Sequence, residues 1–305
     1  MGEPYGGNLR IGTRTKKRIT QPTTRMNLIL QGLTPTPADI DRIAALAGAR
    51  SIVPIGPAAF RCEDVAPTEA QKKEVEQAAY DARLDCTFIA PGRRLSDFGL
   101  VTMDMDSTLI TIECIDEIAD MQGLKPQVAE ITEAAMRGEL DFRESLALRV
   151  ALLKGLDAGA LQRVYDDRLR LSPGAERMLE AVKAAGLKTL LVSGGFTFFT
   201  DRIKTRLGLD FTHSNELEVY EGKLTGRVVG TIVDADEKKA TVERVCREIG
   251  ISPRQAIVMG DGANDLKMMA IAGMSVAFRA KPIVRSQADV ALNFVGLDGI
   301  LPLFE

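Results

Sequence analysis

Residues 100–108 read Leu-Val-Thr-Met-Asp-Met-Asp-Ser-Thr. Leu100–Met103 forms a short buried strand, and two carboxylates follow it at i and i+2. Placed there, Asp104 and Asp106 project near the C-terminal edge of a sheet, where open α/β folds bind their ligands. One carboxylate can attack phosphorus and form an acyl phosphate. The other can protonate a leaving oxygen and later activate water. Two acids so close repel each other, which favours a divalent cation beside them. A simple capping turn would also place Asp and Ser after a strand. A calcium loop of the EF-hand type is excluded, because it needs Gly at Leu109 and Glu at Ile115.

Outward from this stretch, strand and helix alternate. Lys188–Ser193 reads as a strand, preceded by a helix with Ser172 at its N-cap, Pro173 at its first position and Gly186 after its end. Met178, Leu179 and Val182 keep helical spacing in it. Ala256–Met259 is a third strand, after a Glu237–Ile249 helix stopped by Gly250. Met274–Ala277 and Val290–Leu292 are shorter strands. Together they predict an α/β fold built on a Rossmann-like parallel sheet. Two stretches depart from the alternation. Beyond Thr108, a long segment without strand signals carries the apolar stripe Phe142, Leu146, Val150 and Leu153. It is too long for an ordinary crossover and is expected to be an inserted helical cap at about 113–170. Leu217–Val229, centred on Glu221-Gly222, predicts a β-hairpin.

Residues 26–95 read as a small α+β domain of their own. It has strands at Met26–Leu30, Ser51–Pro54 and Cys86–Ile89, helices at Pro37–Ala47 and Thr68–Ala82, and a linker at Pro91–Arg94. Residues 96–305 are the remaining core. Residues 1–25 carry Arg10, Arg14, Lys16, Lys17, Arg18 and Arg25 against the single acid Glu3. They lack the apolar segment of a secretory signal and are expected to be a disordered extension.

Composition narrows the function. The 305 residues suit about two domains of ~150 residues each, and 45% hydrophobic with 27% charged residues is a globular balance. A net charge of −3 gives no reason to expect nucleic acid or membrane as a partner, and no apolar run approaches the ~18 residues of a membrane span. Cys62, Cys86, Cys114 and Cys246 lack CxxC spacing, and His213 is the only histidine. Reduced thiols in a cytoplasmic protein are the reading, and any metal must be held by oxygen.

Three further motifs share the pattern of Asp104-Asp106. Gly260-Asp261-Gly262-Ala263-Asn264-Asp265 follows the third strand and can bring carboxylates to the same hard cation, for which Mg²⁺ is suited. Ser193-Gly194-Gly195 closes the second strand before a helix, where a hydroxyl and main-chain N–H groups can cradle phosphate. Lys238-Lys239 lies near a helix start, where one lysine can neutralise a phosphoryl group. Alone, each is an ordinary turn or solvated face. Four in this order are specific.

The chain resembles the haloacid dehalogenase superfamily, whose DxDx[TV] motif matches Asp104–Thr108. Met103–Ile118, Ala135–Phe142, Ser193–Phe199 and Gly260–Asp265 are similar to its bacterial phosphoserine phosphatases, over about residues 95–295. The resemblance implies Asp104 as nucleophile and Asp106 as general acid/base. It implies Mg²⁺ held by Asp104, the Asp106 main-chain carbonyl and Asp261, with Asp265 supporting the metal. Ser193, the Gly194 amide, Lys238 and Asn264 would take the phosphoryl group, and Glu113 and Arg149 would select the substrate. Their chemistry suits phosphoserine as the small-molecule partner: Glu113 for an ammonium, Arg149 for a carboxylate gripped by two hydrogen bonds. Hydrolysis of phosphoserine to serine, the last step of serine biosynthesis, is the implied activity. A receiver domain also keeps an aspartate after a strand, but needs neither Asp106 as acid/base nor a cap. Many bacterial members carry an amino-acid-binding regulatory domain where residues 26–90 lie. Regulation, formation of a homodimer and plain packing all stay open for that module.

Overall fold

The computed structural model describes Gly2 and residues 25–305. The expected disordered extension at 1–25 therefore lies almost wholly outside the described residues.

The N-terminal part contains strands β1 (Met26–Gly32), β2 (Ser51–Gly56), β3 (Ala59–Val65) and β4 (Leu84–Ile89), with helices α1 (Pro37–Leu46) and α2 (Glu69–Asp81). They form an antiparallel sheet in the order β2-β3-β1-β4. Thr36 and Thr68 cap the two helices, each accepting a main-chain N–H in the first turn. Helix residues Ile40, Ile43, Val75 and Ala79 pack on Leu28, Leu30 and Cys62 of the sheet. Strand β3 is absent from the sequence reading, because Arg61, Glu63 and Asp64 break its apolar alternation.

The core begins with β5 (Leu100–Met103). Helices α3 (Cys114–Asp120), α4 (Lys125–Met136), α5 (Phe142–Leu152) and α6 (Gly159–Arg163) follow before α7 (Ala175–Ala184) and β6 (Lys188–Phe196). Then come α8 (Thr197–Leu207), the hairpin β7 (Phe211–Tyr220) and β8 (Lys223–Val229), and α9 (Ala235–Glu248). The chain continues through β9 (Ala256–Gly260), α10 (Leu266–Met269), β10 (Met274–Phe278), α11 (Pro282–Arg285) and β11 (Val290–Leu292). The seven-stranded sheet has the order β11-β10-β9-β5-β6-β7-β8. All its pairings are parallel except β7–β8. Covered on both sides, β5 is buried throughout, as expected for the middle of a parallel sheet.

One helix start differs from expectation. Ser172 and Pro173 do not begin α7; Gly174, at φ 77°, occupies its N-cap. The main chain there is committed elsewhere: Ser172 donates its N–H to the Leu109 carbonyl, and the Pro173 carbonyl accepts from Leu297. Gly174 lies so close to Asp298 that a Cβ would clash with the carboxylate. The other elements read from the sequence lie within a few residues of their expected ends, except that β7 begins at Phe211, before the expected hairpin, because its first half pairs in parallel with β6. α9 starts two residues early because Asp234 caps it, accepting from Asp236 and Glu237 N–H.

The two sheets meet through Asp85 of β4. Its buried carboxylate accepts the main-chain N–H groups of Asn293, Phe294 and Val295 and the Asn293 side-chain amide, at 2.7–3.2 Å. Gln31 donates to the Gly299 carbonyl at 2.7 Å beside it. Among the described residues no helix is long and apolar enough to cross a membrane.

Candidate active site

Strands β9, β5 and β6 are neighbours, and the chain leaves β5 for one side first and the other later. Their C-terminal ends therefore flank a topological switch point. Asp261 follows β9, Asp104 follows β5 and Ser193 lies near the end of β6, so three motifs far apart in sequence converge.

Asp104 is buried and its Oδ1 accepts the Met105 N–H at 2.8 Å. The same oxygen lies 2.8 Å from Lys238 Nζ, which sits 2.8 Å from Asp265 Oδ1. Lys238 is fully buried beneath the site, one turn into α9, and Lys239 pairs instead with Glu243 on the surface. Burial opposes the Lys238 charge, but Asp104 and Asp265 outweigh it and raise its pKa. Burial and then the Asp265 charge push Asp104 well above the ordinary carboxylate range. Asp265 also accepts the N–H groups of Asp261 and Gly262, which holds the β9 turn against α9.

The backbone after Asp104 turns sharply. Leu109 N–H reaches back to the Asp104 carbonyl and Ile110 to that of Met105, with Ser107 at φ 55°. This turn aims Asp106 back toward the sheet edge, where its Oδ1 accepts the Cys114 N–H at 2.9 Å. Burial, with the Glu113 charge adding, raises Asp106 to about 7. Glycine is required at 195, since a Cβ there would lie 2.7 Å from Asp106 Oδ2 and 3.0 Å from Ser193 Oγ. Ser193 Oγ accepts the Gly195 N–H at 2.8 Å.

These groups open onto a cavity of about 680 Å³ between the sheet edge and helices α3–α5. Asp104, Asp106, Glu113, Arg149, Ser193, Gly194, Asp261 and Asn264 all line it; Lys238 and Asp265 of the predicted set lie behind the wall. Glu113 accepts from Ser107 Oγ at 2.6 Å, and burial followed by the Asp116 charge raises its pKa. Arg149 donates Nε to the Ser145 carbonyl at 3.3 Å, its one hydrogen bond among the described residues. Burial lowers its pKa, opposed by Asp116, Glu113 and Asp106. Its remaining donors are free for an anion.

Oxygen atoms of Asp104, Asp261 and Asp265 lie within 4.8 Å of one another. Burial, then Asp265 and Glu113, raise Asp261 to about 7. A carboxylate trio with no nitrogen or sulfur donor suits a hard cation. The Asp106 carboxylate is not part of that trio.

Three residues at the site carry no signal in the sequence reading. Asp116 lies one turn beyond Glu113 and lines the cavity, as does Lys281 after β10. Asn215 is buried under Ser193-Gly194. It donates to the Gly194 carbonyl at 2.7 Å and accepts the Val233 N–H at 2.8 Å. Helical spacing from Glu113 points to Asp116; nothing local marks the other two.

The chain has clear relatives. Residues 98–273 match the haloacid dehalogenase-like hydrolase family, and residues 28–75 match a domain of unknown function, DUF4072. The phosphoserine phosphatase of Polaromonas sp. (strain JS666) is 61% identical over 218 residues, covering 70% of this chain and 92% of that protein. The crystal structure of a probable phosphoserine phosphatase from Vibrio cholerae superposes with a TM-score of 0.78 at 36% identity, covering 93% of this chain and 88% of the other. A phospho-aspartyl intermediate analogue of phosphoserine phosphatase superposes with a TM-score of 0.64 at 38% identity, covering 68% and 99%. The chain belongs to the phosphoserine phosphatases of the haloacid dehalogenase-like hydrolases.

Proposed function

We propose that this protein hydrolyses O-phosphoserine to serine and phosphate through an acyl phosphate on Asp104, as the last step of serine biosynthesis. The observation that carries the reading is the meeting of Asp104, Asp106, Glu113 and Arg149 on one cavity. In the first half-reaction a carboxylate oxygen of Asp104 attacks phosphorus. The bond from phosphorus to the serine oxygen breaks as Asp106 gives that oxygen its proton. Burial and the Glu113 charge, by raising Asp106 to about 7, leave its acid form populated at neutral pH. In the second half, water attacks phosphorus, Asp106 takes the water proton, and the Asp104 carboxylate is regenerated as phosphate leaves. Ser193, the Gly194 amide and Asn264 hold the phosphoryl oxygens, and the Lys238 charge behind Asp104 helps to neutralise them. Glu113 pairs with the substrate ammonium and Arg149 with its carboxylate.

The carboxylate trio fits a divalent cation. Asp104, the Asp106 main-chain carbonyl and Asp261 would hold Mg²⁺, with Asp265 supporting them. When bound, the cation offsets the negative charge that these acids present to an incoming phosphate.

In this reading residues 96–305 are the catalytic domain, helices from about 113 to 170 its cap, and residues 26–95 a separate module. The exposed edge strand β2, with Ile52 and Val53 at its surface, supports a homodimer. Four unpaired cysteines support a cytoplasmic location.

Assay with Mg²⁺ across phosphoserine, phosphoethanolamine and phosphoglycolate tests the reading. Phosphoserine is expected to have the highest kcat/KM. Equal values for all three would reject the substrate, and no turnover of any would reject the phosphatase.

A further inference from the structure

The first turn of α5 touches the catalytic core at two adjacent residues. Phe142 lies over the Ser193-Gly194 turn, where a Cβ on Gly194 would come within 2.9 Å of its ring. Arg143, next in sequence, places Nε and Nη2 each 2.6 Å from Asp234 Oδ2. Asp234 is the N-cap of α9, and Lys238 donates its N–H to the Asp234 carbonyl at 2.9 Å. Six residues after Arg143, ~9 Å along the helix, α5 presents Arg149 to the cavity.

One ion pair thus joins the helix carrying the substrate-reading arginine to the helix carrying the lysine under Asp104. Its acid is held by two main-chain N–H groups and is mostly buried, whereas the arginine is 55% exposed at the rim. When the contact opens, the water-facing arginine is solvated and the acid keeps its two main-chain N–H bonds. α5 itself is independently started by the Asp141–Glu144 capping box, so Arg143 is not required for its helix.

We propose that Arg143 and Asp234 are positioning residues that latch the cap shut over bound substrate, holding Arg149 against the substrate carboxylate. The proposal rests on the phosphoserine reading above. Loss of the latch shifts the population toward an open cap and weakens substrate binding, because the open state lacks the Arg149 contact.

The test uses the full chain with Mg²⁺ and the variants R143Q, D234N and their double. Asn keeps the N-cap function. A partly exposed ion pair predicts that each single raises KM for phosphoserine about three- to fivefold, with kcat within about twofold. The double variant should match either single, because the two substitutions remove one contact. p-Nitrophenyl phosphate, which offers Arg149 no carboxylate, should change by less than about twofold. Hydrogen exchange without substrate should be faster at residues 137–146 in both singles and unchanged in β5, β6 and β9. Losses that multiply in the double, an unchanged KM, or unchanged exchange would each overturn the latch. So would equal losses on both substrates. If wild type fails to hydrolyse phosphoserine, the substrate reading falls, and exchange at 137–146 alone still decides whether the pair holds the cap.

Discussion

The Lys238 ammonium lies 2.8 Å from Oδ1 of Asp104, with both side chains buried. It lies equally close to Asp265, so one cation serves two buried carboxylates. Removing it leaves both unpaired, a situation that costs ~3–5 kcal/mol in buried ion pairs. Lys238→Met is expected to lower the unfolding midpoint as well as activity, whereas Lys239→Met on the same helix surface should leave both near wild type. Equal effects from the two would show that the pair is not a structural centre of the site.

The proton on Asp106 sets a pH signature. Its pKa, raised by burial and Glu113 to about 7, leaves the acid form populated at neutrality and depleted above it. For phosphoserine, whose alkoxide leaves badly, the rate of phosphoryl transfer to the enzyme should fall as pH rises past about 7. For p-nitrophenyl phosphate, whose phenolate leaves unaided, that fall should be absent, and Asp106→Asn should slow its first step far less than that of phosphoserine. Single-turnover kinetics of both esters across pH 5–9 check this. Parallel profiles would remove Asp106 from the acid role.

The proposed roles of Arg149 and Glu113 place them at opposite ends of the substrate. Arg149→Ala should cost phosphoserine ~2–5 kcal/mol in kcat/KM, the loss on truncating one partner of a desolvated charge pair. It should cost phosphoethanolamine much less. Glu113→Gln should hurt amine-bearing esters more than phosphoglycolate. Uniform losses over all three substrates would mean that neither residue reads the serine backbone.

Asp85 ties β4 to the end of the core sheet. Asp85→Ala removes the acceptor for three main-chain N–H groups, at ~1 kcal/mol or more for each one left buried and unpaired. Separate melting of the N-terminal sheet, seen as an added calorimetric transition, is the expected outcome. An unchanged single transition would deny that Asp85 couples the two parts.

What the sequence shows plainly is chemistry attached to strand ends. Asp104, Ser193 and Asp261 each follow or close an apolar run, so their place in a parallel sheet is legible before any coordinates. The α5 stripe is legible for the same reason, since Leu146, Val150 and Leu153 keep helical spacing and are buried. Strand β3 is not, because Arg61 and Asp64 answer Glu305 and Arg25, partners distant in sequence. Tertiary bonds to Leu109 and Leu297 likewise override the Ser172-Pro173 helix signal. Lys281 and Asn215 acquire meaning only when β10 lies beside β9 and β7 beside β6. Asp85 is a further instance, since its partners lie more than two hundred residues away.

The metal requirement follows from the acid trio. Prolonged treatment with EDTA should abolish turnover, and Mg²⁺ should restore it. Ca²⁺ should restore little, since it accepts more ligands at longer distances. Full activity after exhaustive chelation would contradict the cation site.

Phosphoryl transfer to Asp104 is the claim on which the rest depends. Rapid acid quench of the enzyme turning over ³²P-labelled phosphoserine, followed by peptide mapping, measures it directly. Label should appear on the peptide containing Asp104, form and decay at rates no slower than turnover, and be absent from Asp104→Asn, which should also be inactive. Normal turnover by Asp104→Asn, or label on any other residue, would contradict the account.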